Sequence, residues 1–194
     1  VGGAARALFP AWARAGEGRR GHMERVRALM LAWAGELGLD PVNRARWGGL
    51  GLLHDALRDA PAAELRASLA GSAWGSMADL PDLLLHGPAA AARLQDEGVD
   101  DRPFLLAVAW HTLGHPELDE AGRALLGADV LEPGRRGREA WRRKLRDRWP
   151  LDPRGALRRV MEARIGWTVK GGHPLHPATV ELWNRLAGPD GGGA

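Results

Sequence analysis

The chain has 194 residues, 45% of them apolar, a formal net charge of +3 and no cysteine. That is enough for one domain with a buried core. It excludes a disulfide framework, a thiolate nucleophile and a cysteine-based zinc site. No apolar run is long enough to span a membrane, and residues 1–10 lack the long apolar core of a signal peptide. A cytoplasmic protein with no membrane partner is therefore expected.

The pattern predicts an all-α fold. Apolar residues recur at helical spacing from Met23 to Leu37, with His22 opening that helix. Gly38 and Asp40-Pro41 end it and start a second, from Val42 to Arg58, which carries His54 and Asp55. Pro61 to Leu69 reads as a short helix with proline in its first turn. Gly71 to Asp82 is a predicted loop, and Pro88 starts an alanine-rich helix to Asp96. Pro103 to Trp110 delivers His111 at its C-terminal end. Asp119 to Leu131 carries Asp129 near its end and stops at Glu132-Pro133-Gly134. Helices over 138–148, 154–169 and 177–186 complete the prediction. The expected division is an N-terminal segment 1–18, one domain over 19–187 and a flexible glycine-rich tail 188–194.

Four of the seven histidines fall in an ordered series with two aspartates: His22, His54, Asp55, His86, His111 and Asp129. Most of them lie in Ala/Leu/Trp-rich helical sequence, where an unpaired imidazole or carboxylate is costly to bury. A divalent cation would satisfy them together. Mixed imidazole and carboxylate donors suit iron, manganese or zinc better than calcium or magnesium. Six donors exceed what one tetrahedral ion takes, so two ions bridged by Asp55 are expected. In a continuous helix Arg58 and Asp59 follow His54 and Asp55 by one turn. That suits phosphate-ester hydrolysis, with Arg58 neutralising phosphate charge and Asp59 orienting or deprotonating a water.

The series resembles the HD-domain superfamily of metal-dependent phosphohydrolases, and within it the YqeK-like family of symmetrical bis(5′-nucleosyl)-tetraphosphatases. The matching stretches are Arg19-Arg20-Gly21-His22, Leu53-His54-Asp55-Ala56-Leu57-Arg58-Asp59 and Leu85-His86-Gly87-Pro88-Ala89. His111-Thr112-Leu113-Gly114 and Asp129-Val130-Leu131-Glu132-Pro133-Gly134-Arg135 follow, and Leu175-His176-Pro177-Ala178-Thr179-Val180 resembles the family's final helix. The resemblance implies an HD-domain helical bundle with a dinuclear, often iron-containing centre; manganese, cobalt and zinc are alternatives. It implies His22, His54, Asp55, His86, His111 and Asp129 as ligands, and diadenosine tetraphosphate cut to two ADP. The family often has lysine where this chain has Arg58. Arginine keeps the charge and changes the geometry. Another nucleotide as substrate, or a metal-stabilised binding protein with little turnover, are the alternatives. A homodimer is compatible with the sequence.

Around this series Arg135, Arg19 and Thr112 are candidate phosphate contacts, alongside Arg58. His115 reads as a solvated loop residue, and His173 and His176 as part of a proline-rich loop. Of nine tryptophans, Trp47, Trp110 and Trp183 are expected in the core, and Trp74 is a candidate base-stacking residue. From Glu132 to Arg164 there are eleven arginines and one lysine against five acidic residues. This is either a solvated helical surface or a positive rim for a polyanionic substrate. No nucleic-acid-binding motif accompanies it, so no nucleic-acid partner is expected.

Overall fold

The computed structural model describes residues 9–188, and among them there are nine α-helices and no strand. The helices are α1 Glu17–Glu36, α2 Pro41–Leu53, α3 Ala62–Leu69, α4 His86–Asp96, α5 Arg102–Trp110, α6 Glu120–Leu131, α7 Glu139–Arg148, α8 Pro153–Lys170 and α9 Pro177–Ala187. Short 3₁₀ turns at Gly75–Met77 and Asp82–Leu84 fill the predicted loop. None of the described helices is long and apolar enough to cross a membrane. The first eight residues of the expected N-terminal segment, and 189–194 of the expected tail, lie outside the described residues.

Helix starts follow the local chemistry. The side chains of Asp40, Asp101, Asp119 and Asp152 accept backbone N–H bonds at the starts of α2, α5, α6 and α8, and three of these four helices have proline in the first turn. His176 does the same at α9 through its imidazole. Helix α6 is apolar nearly all round and sits at the centre, packed against α1, α2, α5, α7 and α8. Its Gly127 admits the indole of Trp149, which stacks on Trp33 at 4.5 Å and 10°. Trp47 is buried, and Trp110 and Trp183 pack against the same core, as expected. Trp74 packs there too and is half-buried.

Three boundaries differ from expectation. Helix α1 starts at Glu17, so His22 lies inside it rather than opening it. Helix α4 starts at His86, two residues before the proline. Helix α2 ends at Leu53, and residues 54–59 form tight turns, with Ala56 N–H bonded to Leu53 O and Arg58 N–H to Asp55 O. The carbonyl of Ala56 is taken by Arg14 N–H at 2.7 Å, and Asp59 N–H donates to Arg14 O at 3.0 Å. The incoming segment thus ends the helix, and the expected one-turn pairing of His54 with Arg58 and Asp55 with Asp59 does not form on a helical face.

One guanidinium fastens two of the caps. Arg46 of α2 reaches Asp101 at 2.6 Å and Asp119 at 2.9 Å. Its hydrogen bond, against a smaller opposing effect of burial, holds the Asp101 carboxyl below its ordinary value. Arg46→Ala should cost about 1 kcal/mol at neutral pH, since both carboxylates are partly solvated. The Asp101 carboxyl is depressed in the fold. Its contribution is therefore complete above the ordinary aspartate range and is lost as pH falls through the folded value. Melting curves at neutral and acid pH test this. The gap between wild type and variant should close on acidification, and a constant gap would rule the pair out as its source.

Candidate metal centre

Five elements deliver the candidate ligands to one place. His22 comes from the second turn of α1, His54 caps the C-terminus of α2, and Asp55 follows it. His86 is the first residue of α4, His111 caps α5, and Asp129 lies in the last turn of α6. All six are 0–8% exposed. Two close helix contacts set the spacing. A Cβ at Gly51 would lie 2.6 Å from Arg27 Cα, so α1 and α2 touch backbone to backbone beside His22 and His54. A Cβ at Gly87 would lie 2.9 Å from the carbonyls of Val108 and Ala109, so α4 and α5 meet equally closely beside His86 and His111.

Each imidazole is tied back through Nδ1. His54, His86 and His111 donate to the carbonyls of Gly51, Leu83 and Val108 at 3.0, 3.0 and 2.8 Å. His22 Nδ1 meets Glu132 Oε1 at 3.1 Å. With Nδ1 as donor, a neutral ring turns its Nε2 lone pair inward. Asp55 lies between the rings. Its Oδ1 is 3.1 Å from His86 Nε2 and 3.4 Å from His111 Nε2. Its Oδ2 is 3.8 Å from His22 Nε2 and 3.7 Å from His54 Nε2. Asp129 Oδ1 closes the second side, 3.0 Å from His22 Nε2 and 3.9 Å from His54 Nε2. The cluster is therefore two-lobed, with Asp55 common to both halves.

The donors have more lone pairs than protons. Nε2 of His54 is buried with no hydrogen-bond partner, and the buried Nε2 of His22 faces the Asp129 carboxylate at 3.0 Å. His86 and His111 face each other Nε2 to Nε2 at 3.2 Å. Burial pushes His54 down to about 4 and lowers His86, which keeps both neutral. Burial alone would raise Asp55 and Asp129. The surrounding histidines, and Arg135 beside Asp129, instead hold both carboxyls well below the usual range. For His22, the carboxylates of Asp129 and Glu132 outweigh burial and raise it. Buried acceptors facing one another without donors fit a cation. The groups His22–His54–Asp129 and His54–Asp55–His111 each bring their ligand atoms within 4.8 Å of one another. These His/Asp groups suggest divalent metal binding.

The remaining candidates sit at the rim. Arg19 bonds Asp55 Oδ2 at 2.8 Å. Arg135 bonds the Asp129 carboxylate through Nη2 and the Asp129 carbonyl through Nε. Thr112 Oγ1 is 3.1 Å from His111 Nε2 and 3.4 Å from His86 Nε2. Arg58 donates to Leu83 O at 3.1 Å, the carbonyl that also anchors His86. Asp59 is exposed, and its Oδ2 accepts from Gly16 N–H at 2.8 Å, fastening the start of α1. His115 lies in a loop, half-exposed, and packs one side on Trp110 at 4.8 Å. His173 is exposed, and neither it nor His176 joins a cluster of potential ligands among the described residues.

Three further residues act on this centre. Glu132 is buried, binds His22, and is held in turn by Arg25 Nε at 2.7 Å and Gly134 N–H at 2.6 Å. Its place one turn after Asp129 was the visible signal. Arg25 lies one turn after His22. Arg164 reaches in from α8, bonding Thr112 O and approaching Asp129 Oδ2 at 3.9 Å. Nothing local distinguishes it from the ten other arginines of its segment.

No protein-family model matches the chain. It is 32% identical over 108 residues to a symmetrical bis(5′-nucleosyl)-tetraphosphatase of Halalkalibacterium halodurans, a match covering 54% of this chain and 56% of that protein. A second protein of that name, from Staphylococcus aureus, is 38% identical over 53 residues, 27% of each chain. The chain thus spans about half the length, or less, of the curated relatives it matches. A crystal structure from Clostridium acetobutylicum, described as a predicted HD superfamily hydrolase involved in NAD metabolism, shares the fold. Its TM-score is 0.75 at 27% identity, with 88% of this chain and 89% of that one covered. The matching sequence stretches and the shared fold together support an HD-domain, YqeK-like protein.

Proposed function

We propose that residues 19–187 form one HD domain that hydrolyses dinucleoside polyphosphates, cutting diadenosine tetraphosphate to two ADP. His22, His54, Asp55, His86, His111 and Asp129 would hold two divalent ions, with Asp55 bridging. Iron is the first expectation; manganese, cobalt and zinc suit the same donors. The observation that carries this is the inward set of Nε2 lone pairs around two carboxylates, with every Nδ1 tied back. When bound, the ions would draw charge from phosphate oxygens and acidify a water.

The chain's own residues do the rest. Arg19, Arg135 and Arg164 place three guanidiniums round the cluster, each in contact with or close to one of its carboxylates. Phosphate oxygens would compete for their free N–H donors, which orients the phosphate chain across the centre. Thr112 offers a hydroxyl on the His86–His111 side. Arg58, held by Leu83 O, adds positive charge beside His86 and would offset charge on the departing ADP. Asp59 stays a fastener of the chain in this reading.

Attack of water at an inner phosphorus that breaks the central P–O–P bridge, with ADP leaving, gives ADP on both sides. Hydrolysis in isotopically labelled water, followed by mass spectrometry, tests the position. The label should appear in ADP alone. Equal ATP and AMP would move the cut to an outer phosphate. No turnover with iron, manganese or cobalt supplied would leave a binding protein. The structural neighbour's description favours adding dinucleotides such as NAD to the same screen. A further prediction separates roles. Arg58→Ala should keep its metal and lose about 10- to 100-fold in kcat/KM, the worth of one charged hydrogen bond. Metal analysis beside steady-state kinetics checks it; unchanged kinetics on every nucleotide tried would take Arg58 out of the site.

A further inference from the structure

A groove of about 810 Å³ lies between α7 and α8, and none of the six clustered ligands lines it. Six arginine or lysine side chains line it against two carboxylates. Helix α7 divides its cations between two tasks. Arg142 and Arg146 bond the carbonyls of Val130 and Leu131, so they close the C-terminus of α6 and serve the fold. Arg138, Lys144 and Arg148 point the other way, into the groove. Arg148 and Arg159 meet the two acids there, Asp152 at 2.5 Å and Glu162 at 2.8 Å. Arg138, Lys144 and Arg158 are exposed and belong to none of the described ion pairs.

The groove is not merely basic. Leu145, Ala163 and Leu186 give it apolar patches, and Trp141 stands half-buried in its wall. The Arg138 guanidinium lies over that indole, 4.7 Å from the ring centroid. Arg138 is held with φ 52°, the one positive-φ non-glycine residue among those described. That conformation costs about 1 kcal/mol or more for a side chain of this kind, and it sets the guanidinium beside Trp141 at the start of α7. Clustered cations repel one another, and an anion relieves that repulsion. A guanidinium plane held over an indole offers its outer side for a base to stack on.

We propose that this groove is a second, non-catalytic site for a nucleoside polyphosphate, whose short charged chain would lie against Lys144 and Arg158 and whose base would stack at Trp141. It stands independently of the reaction assigned to the metal centre. The volume is of the size that holds a compact ligand, which favours a mononucleotide over a long nucleic-acid strand.

Calorimetric titration of the metal-loaded full chain with the β,γ-methylene analogue of ATP tests this. It is run on the wild type and on a His54→Ala background, where binding at the metal centre is weakened. The groove event should persist on that background. It should weaken about tenfold or more in Lys144→Glu/Arg158→Glu and severalfold in Trp141→Ala, with basal hydrolysis unchanged in otherwise wild-type protein. Inorganic tripolyphosphate should bind more weakly than the analogue. Should a variant fold poorly, hydrogen exchange on the wild type should show protection over 138–148 and 154–163 when the analogue binds, separate from any protection at the metal centre. Unchanged affinity in both groove variants, tripolyphosphate binding as tightly as the nucleotide, or no protection in those segments would overturn the proposal. So would an RNA oligonucleotide held on this face and not displaced by the analogue.

Discussion

Asp55→Ala is expected to strip the metal and abolish hydrolysis together, the largest functional loss from any single change. Its carboxylate stands between two imidazole pairs, and no other acidic oxygen of the cluster is close to His86 and His111. Without it each half loses an anionic donor and nothing joins them. Metal bound only by the folded chain stabilises it by about 3–4 kcal/mol at 100 to 1,000 times its dissociation constant. The variant should lose most of that. His54→Ala should behave similarly, since its fully buried Nε2 has no other partner. Elemental analysis and melting curves with and without a chelator decide the matter. Wild type and variant should differ widely with metal and far less after chelation. Full metal content in both variants would sink the assignment.

Gly51→Ala is expected to damage the centre without touching a ligand. The new Cβ would meet backbone, 2.6 Å from Arg27 Cα and 2.7 Å from Arg27 N, and backbone cannot rotate away as a side chain can. Helices α1 and α2 must separate. Overpacking of this kind costs about 1–3 kcal/mol, more than alanine's better helix propensity returns. The separation also draws His22 away from His54, whose rings now lie 5.4 Å apart. Metal affinity should fall about tenfold or more, because ligand geometry tolerates errors of only about 0.5 Å. Gly87→Ala should act likewise on His86 and His111. Gly49→Ala is the control: on the same helix its Cβ would meet only the Phe104 ring at 3.4 Å. Metal titrations beside melting curves for the three variants test this, and equal behaviour of Gly49→Ala and Gly51→Ala would refute the contact argument.

Much of this was legible before any coordinates. Asp-Pro at 40–41 and 152–153, and Asp101 ahead of Pro103, announce helix starts because capping and proline chemistry act within a few residues. The clustering of the six His/Asp residues was legible because six costly groups recur in apolar surroundings. What escaped depends on distant partners. The end of α2 was missed because Asp55 to Asp59 suit a helix locally, while Arg14, some forty residues earlier, takes the Ala56 carbonyl. Arg164 was missed because the groups it meets at the centre, Thr112 and Asp129, are far away in the chain.

Three of the four clustered histidines are aimed by carbonyls three residues earlier in their own turns. Each ring is therefore orientated as soon as its local turn forms, before any neighbouring element arrives. The rotamer entropy of these side chains is given up during folding, not at capture of an ion. Were two ions bound as proposed, they could then enter one at a time, in either order, each finding rings that need little further movement. His22 is the exception, since Glu132, 110 residues away, must be in place to hold it. The lobe containing His22 should accordingly be the one whose occupancy reports whether the last turn of α6 has docked.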